Sequence, residues 1–144
     1  MIKNGKSIDE INVGDAADFT KTVTETDVYL YAGVTGDLNP AHINETYAKA
    51  TFYKGRIVHG MLSAGLISAV FGMSLPGAGT IYISQTLDFK RPVRIGDTIT
   101  ARVEAIEKLT EKNRIKFRTT CTNQDGKVVV DGEAVVMPPV PLKL

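Results

Sequence analysis

The apolar residues keep two different periods along the chain. Before about residue 79 they follow helical spacing or run together; after Gly79 they alternate with period two. Ile81, Ile83, Leu87 and Phe89 fall on one face, against Tyr82, Ser84, Thr86 and Asp88. Ile99, Ala101, Val103 and Ala105 oppose Thr98, Thr100, Arg102 and Glu104. Ile115, Phe117 and Cys121 oppose Arg114, Lys116 and Arg118, and Val128, Val130, Ala134 and Val136 form a fourth set. Such alternation predicts strands with one buried and one solvated face. Asp125-Gly126 is a hairpin turn between the last two strands. Pro92 and Gly96-Asp97 separate the first two. Residues 16–23 add a strand near the start.

The first half predicts helices. Thr24 and Asp27 have the spacing of a capping box, so a helix starts there, and Gly36 closes it in a left-handed conformation. Residues 37–42 do not continue it, because Asn39-Pro40 forces an extended residue and a turn. Asn44 caps a short helix through Lys49. A loop with Gly55 leads into an apolar helix over residues 58–75.

Residues 57–87 carry no Asp, Glu, Lys or Arg. Residues 57–75 are therefore long enough to test as a membrane span, which takes roughly 17–25 residues. Serines and glycines interrupt them, Pro76, Gly77 and Gly79 cut them off, and basic residues do not bracket them on both sides. The better reading is a helix buried inside a domain. Antiparallel strands needing cover and an apolar helix needing a wrap together give an α+β layer. One sheet covers one side of such a helix, so a homodimer is expected to cover the rest.

A chain of 144 residues suits one domain over 1–144. The net charge is +1, from 17 basic and 16 acidic residues, which removes the footprint of a nucleic-acid binder. One cysteine, Cys121, excludes an internal disulfide and reads as a core residue; with two histidines, no metal centre is expected. Residues 1–15 show no signal-peptide pattern. The expectation is a cytoplasmic protein with no membrane or nucleic-acid partner.

Gly36-Asp37-Leu38-Asn39-Pro40-Ala41-His42 is the strongest chemical signal. It puts a carboxylate and an imidazole on one rigid turn, where together they can orient and deprotonate a water. The same residues also serve as ordinary turn formers. Ile57-Val58-His59-Gly60-Met61 is the second signal. Its glycine opens the apolar helix, where unpaired N–H groups carry positive potential and a ligand oxygen can approach closely. Gly60 also fits a packing role, and His59 a core or junction role. Ser63 and Ser68 lie in the helix without a nucleophile elbow. Lys90, Arg91 and Arg94 beside Pro92 can meet phosphates or simply line a solvated loop.

Asp37-x-Asn39-Pro40-x-His42 resembles the hydratase motif of MaoC-like (R)-specific enoyl-CoA hydratases. The run 57–62 resembles that family's entry to its central helix, and Phe89-Lys90-x-Pro92-Val93-x-x-Gly96-Asp97 its strand-turn segment. The similarity runs in order over residues 13–137, and the tail 138–144 lies beyond it. The resemblance implies a hot-dog fold, an antiparallel sheet wrapped around a long helix, in a homodimer. It implies reversible addition of water to trans-2-enoyl-CoA, giving (R)-3-hydroxyacyl-CoA, with no cofactor and no metal. Asp37 and His42 match the family's catalytic pair, Gly60 the glycine whose N–H binds the thioester oxygen, and Ser68 a supporting serine. With an acyl-CoA substrate, Lys90, Arg91 and Arg94 are expected at the CoA phosphates. Tyr47, Phe52, Leu66 and Phe71 are expected to set the acyl pocket.

Three other readings stay open on these residues. One is dehydration of (R)-3-hydroxyacyl groups on acyl carrier protein. Another is thioester hydrolysis. The third is a non-catalytic acyl-CoA-binding module.

Overall fold

The computed structural model describes residues 3–142. Met1, Ile2, Lys143 and Leu144, the ends of the expected 1–144 unit and of its proline-rich tail, lie outside the described residues. Strand β1 (Ala16–Thr22) is followed by helices α1 (Glu25–Thr35), α2 (Pro40–Ile43), α3 (Glu45–Ala50) and α4 (Gly60–Met73). Then come β2 (Ile81–Gln85), β3 (Asp88–Phe89), β4 (Thr98–Leu109), β5 (Arg114–Thr122) and β6 (Val128–Met137). All paired strands are antiparallel, in the order β1-β4-β5-β6-β2, with β3 also on β6. The sheet packs on α4, the hot-dog arrangement that the motif resemblance implies.

The caps form as the residue types dictate. The Thr24 hydroxyl accepts from the Asp27 N–H, the Asp27 carboxylate accepts from the Thr24 N–H at 2.8 Å, and Gly36 takes φ +79°. The Asn44 side chain accepts from the Tyr47 N–H to start α3. Where a plain turn is expected at 37–42, Asn39 instead caps the single turn of α2, with Pro40 at its first position. The hairpin at Asp125-Gly126 closes through the Gly126 N–H on the Asn123 carbonyl at 2.9 Å.

Helix α4 is shorter than the expected 58–75. At its start, the Val58 N–H is held by the Val93 carbonyl at 2.8 Å, which keeps that segment outside the helix. Leu62, Ser63, Leu66, Ile67, Val70 and Phe71 recur at helical spacing and are buried. The Phe71 ring meets Phe117 of β5 edge-on at 5.0 Å and Tyr82 of β2 at 5.2 Å. Burying each large apolar side chain contributes about 1.5–3 kcal/mol. The helix is not wrapped on every side, since Met61, Gly65 and Ser68 form an exposed stripe and Met73 is exposed at its end. Among the described residues, no helix is long and apolar enough to cross a membrane.

One strand reads with its faces exchanged. Tyr82 turns toward the core while Ile81 and Ile83 are exposed. The pairing on β6 shifts between Tyr82 and Ser84, and β2 ends the path of the sheet. Alternation shows that two faces differ, but not which one meets the helix. In β6, Val129 and Val130 are both buried, because a shift between Cys121 and Thr122 moves Val128 off the inner face. The β4 and β5 sets face inward as expected.

Candidate active site

The loop 36–39 leaves α1 at Gly36 and enters α2 at Asn39. Within it, the Asp37 N–H donates to the Thr35 hydroxyl and the Asn39 N–H to the Asp37 carboxylate, at 3.2 and 3.3 Å. Asp37 is exposed, and His42, three positions into α2, is 9% exposed. The segment before α4 runs alongside, with the Ile57 N–H on the Ala41 carbonyl at 3.2 Å. That contact brings the Ile57 carbonyl within 2.7 Å of His42 Nδ1. A carbonyl only accepts, so Nδ1 carries the proton and, in the neutral ring, Nε2 keeps its lone pair.

His59 ends the same segment as the residue capping α4. Its ring lies on His42, with centroids 3.9 Å apart, and its Nε2 donates to the Asp37 backbone carbonyl at 2.9 Å. One ligand-type atom each from Asp37, His42 and His59 lies within 4.8 Å of the other two. The cluster has metal-ligand residue types, but both histidines already use one nitrogen on a carbonyl. That leaves one lone pair on each neutral ring, at His42 Nε2 and His59 Nδ1, beside the Asp37 carboxylate.

Gly60 opens α4 with no side-chain cap before it. Its N–H has no carbonyl one turn earlier to bond. His42 and Gly60 line one cavity of about 360 Å³, together with Met61, Ser63, Phe89, Lys90, Arg91 and Val130. Asp37 does not line it and lies next to His42. The structure thus brings Asp37 to His42, and His42 to the cavity that Gly60 lines. It can hold a water between the carboxylate and imidazole, and an anionic oxygen at the helix start.

The other expected site residues scatter. Ser68 lines a neighbouring cavity of about 440 Å³ with Met61, Gly65 and Tyr82. Eight residues of helix separate it from Gly60, about 12 Å at 1.5 Å per residue. Lys90 and Arg91 reach the first cavity, where Arg91 donates to the Val128 carbonyl at 2.8 Å and Lys90 lies 3.9 Å from Asp88. Arg94 turns away and donates to the Tyr53, Gly55 and Arg56 carbonyls at 2.6, 3.1 and 3.4 Å, so it pins the loop before α4. The acyl-pocket assignments of Phe52, Leu66 and Phe71 do not match the packing. Phe52 is 91% exposed, whereas Leu66 and Phe71 lie on the sheet side of α4, and none lines either cavity. Tyr47 is exposed as well. Met61, Phe89 and Val130 hold the wall positions that sequence reasoning missed. Phe89 carried a signal in its place in the strand-turn motif, and Met61 in the run that opens the helix.

A model of the MaoC like domain matches residues 10–127. The chain belongs to the MaoC-like domain family. It is 56% identical over 131 residues to the (R)-specific enoyl-CoA hydratase of Rhodospirillum rubrum, covering 91% of this chain and 90% of that protein. It is 46% identical over 131 residues to the 3-hydroxybutyryl-CoA dehydratase of Methylorubrum extorquens, covering 91% and 83%. The solved unliganded R-hydratase of Pseudomonas aeruginosa superposes with a TM-score of 0.89 at 46% identity, over 98% of this chain and 94% of that one. The MaoC-like match thus covers the Asp37 turn, the entry to α4 and strands β1 to β5.

Proposed function

We propose that this MaoC-like chain is an (R)-specific enoyl-CoA hydratase, adding water reversibly to trans-2-enoyl-CoA to give (R)-3-hydroxyacyl-CoA. The observation that carries this is one arrangement. An Asp37 carboxylate oxygen and a His42 ring nitrogen lie within 4.8 Å of one another, and His42 shares its cavity with the free N–H end of α4 at Gly60.

The chemistry follows from the charges. Water oxygen attacks the β-carbon, and its proton passes to the Asp37 carboxylate. Negative charge builds on the thioester oxygen, where the Gly60 N–H and the positive helix end hold it. His42 orients the water, and the pair returns a proton to the α-carbon, so both groups end as they began. Lys90 and Arg91 at the mouth offer positive charge to the CoA phosphates.

The exposed Ile81 and Ile83 on the terminal strand β2, and the exposed Met61 and Met73 on α4, support a homodimer as the working form. The same reading takes the chain as one cytoplasmic domain. Light scattering reports its mass in solution, and a monomer at assay concentration rules out the dimer.

Incubation of the protein with crotonyl-CoA, followed by loss of enoyl-thioester absorbance and chiral analysis, tests the function. Formation of (R)-3-hydroxybutyryl-CoA is expected. Free thiol release, binding without turnover or an (S) product overturns the reading. A much faster rate on the carrier-protein thioester reassigns the carrier.

A further inference from the structure

We infer that His59 is a positioning residue for the catalytic pair: through its Nε2–H and its ring face it holds Asp37 and His42 in register. This rests on the hydratase reading above and extends it to a side chain outside the reacting groups.

Three observations meet at this ring. His59 is 2% exposed, between the Tyr31 ring at 4.7 Å and the His42 ring at 3.9 Å with planes 33° apart. Its Nε2 is 2.9 Å from the Asp37 carbonyl, and its Nδ1 is buried with no hydrogen-bond partner. Because a carbonyl cannot donate, Nε2 carries the hydrogen and Nδ1 is an orphaned acceptor. A ring needed only for packing would be better as phenylalanine, which leaves no buried nitrogen unpaired. What phenylalanine lacks is the N–H on the Asp37 carbonyl.

That hydrogen bond has a distinct place in the fold. The other hydrogen bonds of residues 36–39 go to residues 31–42, so they shape the turn without fixing where it sits. Among the described residues, the His59 bond alone ties this turn to the start of α4. The ring face does the same for His42, whose Nδ1 bond to Ile57 leaves the imidazole free to tilt about that contact. One residue next to Gly60 therefore sets both members of the pair against the oxyanion position.

The test compares His59→Phe and His59→Gln on crotonyl-CoA. Phenylalanine keeps the packing without the donor, and glutamine places an amide N–H where Nε2 stands. A displacement of about 1 Å in a reacting group costs up to ~10²-fold. His59→Phe is expected to lose roughly 10- to 100-fold in kcat with KM within about twofold, and His59→Gln to recover most of it. In an Asp37→Asn background, His59→Phe is expected to add little further loss, because the pair it positions is already broken. A His59→Phe enzyme at wild-type kcat, or a loss that glutamine does not recover, overturns the proposal. Should His59→Phe fail to fold, His59→Asn replaces it. Its shorter amide stands at Nδ1, so it is expected to be impaired beside an active His59→Gln, and equal rates overturn the proposal. An inactive wild-type protein would instead overturn the hydratase reading itself.

Discussion

The ring of Phe89 lies over the α-carbon of Gly60. A Cβ built on Gly60 would stand 2.7 Å from two of the ring carbons. Phe89 is half exposed, so a methyl group there pushes the ring aside rather than unfolding the helix. Gly60→Ala is therefore expected to keep its melting temperature within a few degrees. It should lose activity, because the methyl crowds the N–H that meets the thioester oxygen. Deleting such a donor outright costs ~10²–10³-fold, so crowding should cost about tenfold or more. Thermal melts and crotonyl-CoA kinetics on one preparation separate the two effects.

Asp37 and His42 differ in what their removal does to the fold. The Asp37 carboxylate accepts a hydrogen bond only within its own turn, from the Asn39 N–H, so Asp37→Asn should melt like the parent. His42 holds the Ile57 carbonyl through Nδ1, and His42→Asn keeps an N–H at that position while removing Nε2. Both variants are expected to fold and to lose about 10²–10⁴-fold in hydration rate. Near-parental rates in either folded variant would remove that residue from the mechanism.

The start of α1 makes the fold sensitive to acid. Burial pushes the Asp27 carboxyl up. The Thr24 N–H, the Lys21 ammonium at 3.0 Å and the Thr24 hydroxyl outweigh it and hold the group below its ordinary value. A carboxyl lowered in the folded state stabilises it above the unfolded pKa, and that contribution is lost as pH falls through the folded one. Asp27→Asn should flatten the loss of stability below about pH 4, the unfolded aspartate range. Thr24→Ala should cost about 1 kcal/mol at neutral pH. Urea titrations at several pH values measure both.

Phe71 is buried in the core and lines neither cavity. Phe71→Ala is expected to cost about 3–5 kcal/mol, because it empties the space between Phe117 and Tyr82. The milder Phe71→Leu should lower the melting temperature while preserving the order of preference among enoyl-CoA chain lengths. A changed order at unchanged stability would return Phe71 to the pocket wall.

Local chemistry was readable without coordinates. The box of Thr24 and Asp27, the close at Gly36, the cap at Asn44 and the turn at Asp125-Gly126 each involve groups within a few residues, so side-chain type alone decides them. The link between the Asp37 turn and Gly60 came from motif order and not from pattern. The loss of Arg94 to the loop carbonyls had no sequence signal, because a free guanidinium and a pinned one look alike in a string of letters.

What the chain writes into its residues is therefore its periods, caps and turns, the α+β order, and the presence of a carboxylate, an imidazole and a helix-opening glycine. These depend on neighbours along the backbone. Folding added the face of β2 that meets α4, the burial of Leu66 and Phe71 away from the cavities, and the contact of His59 with both Asp37 and His42. Each of those is a distance between segments many positions apart, set by how the sheet packs on one side of α4 and by backbone bonds such as Val58 to Val93. Periodicity has no term for such distances, so packing alone supplies them.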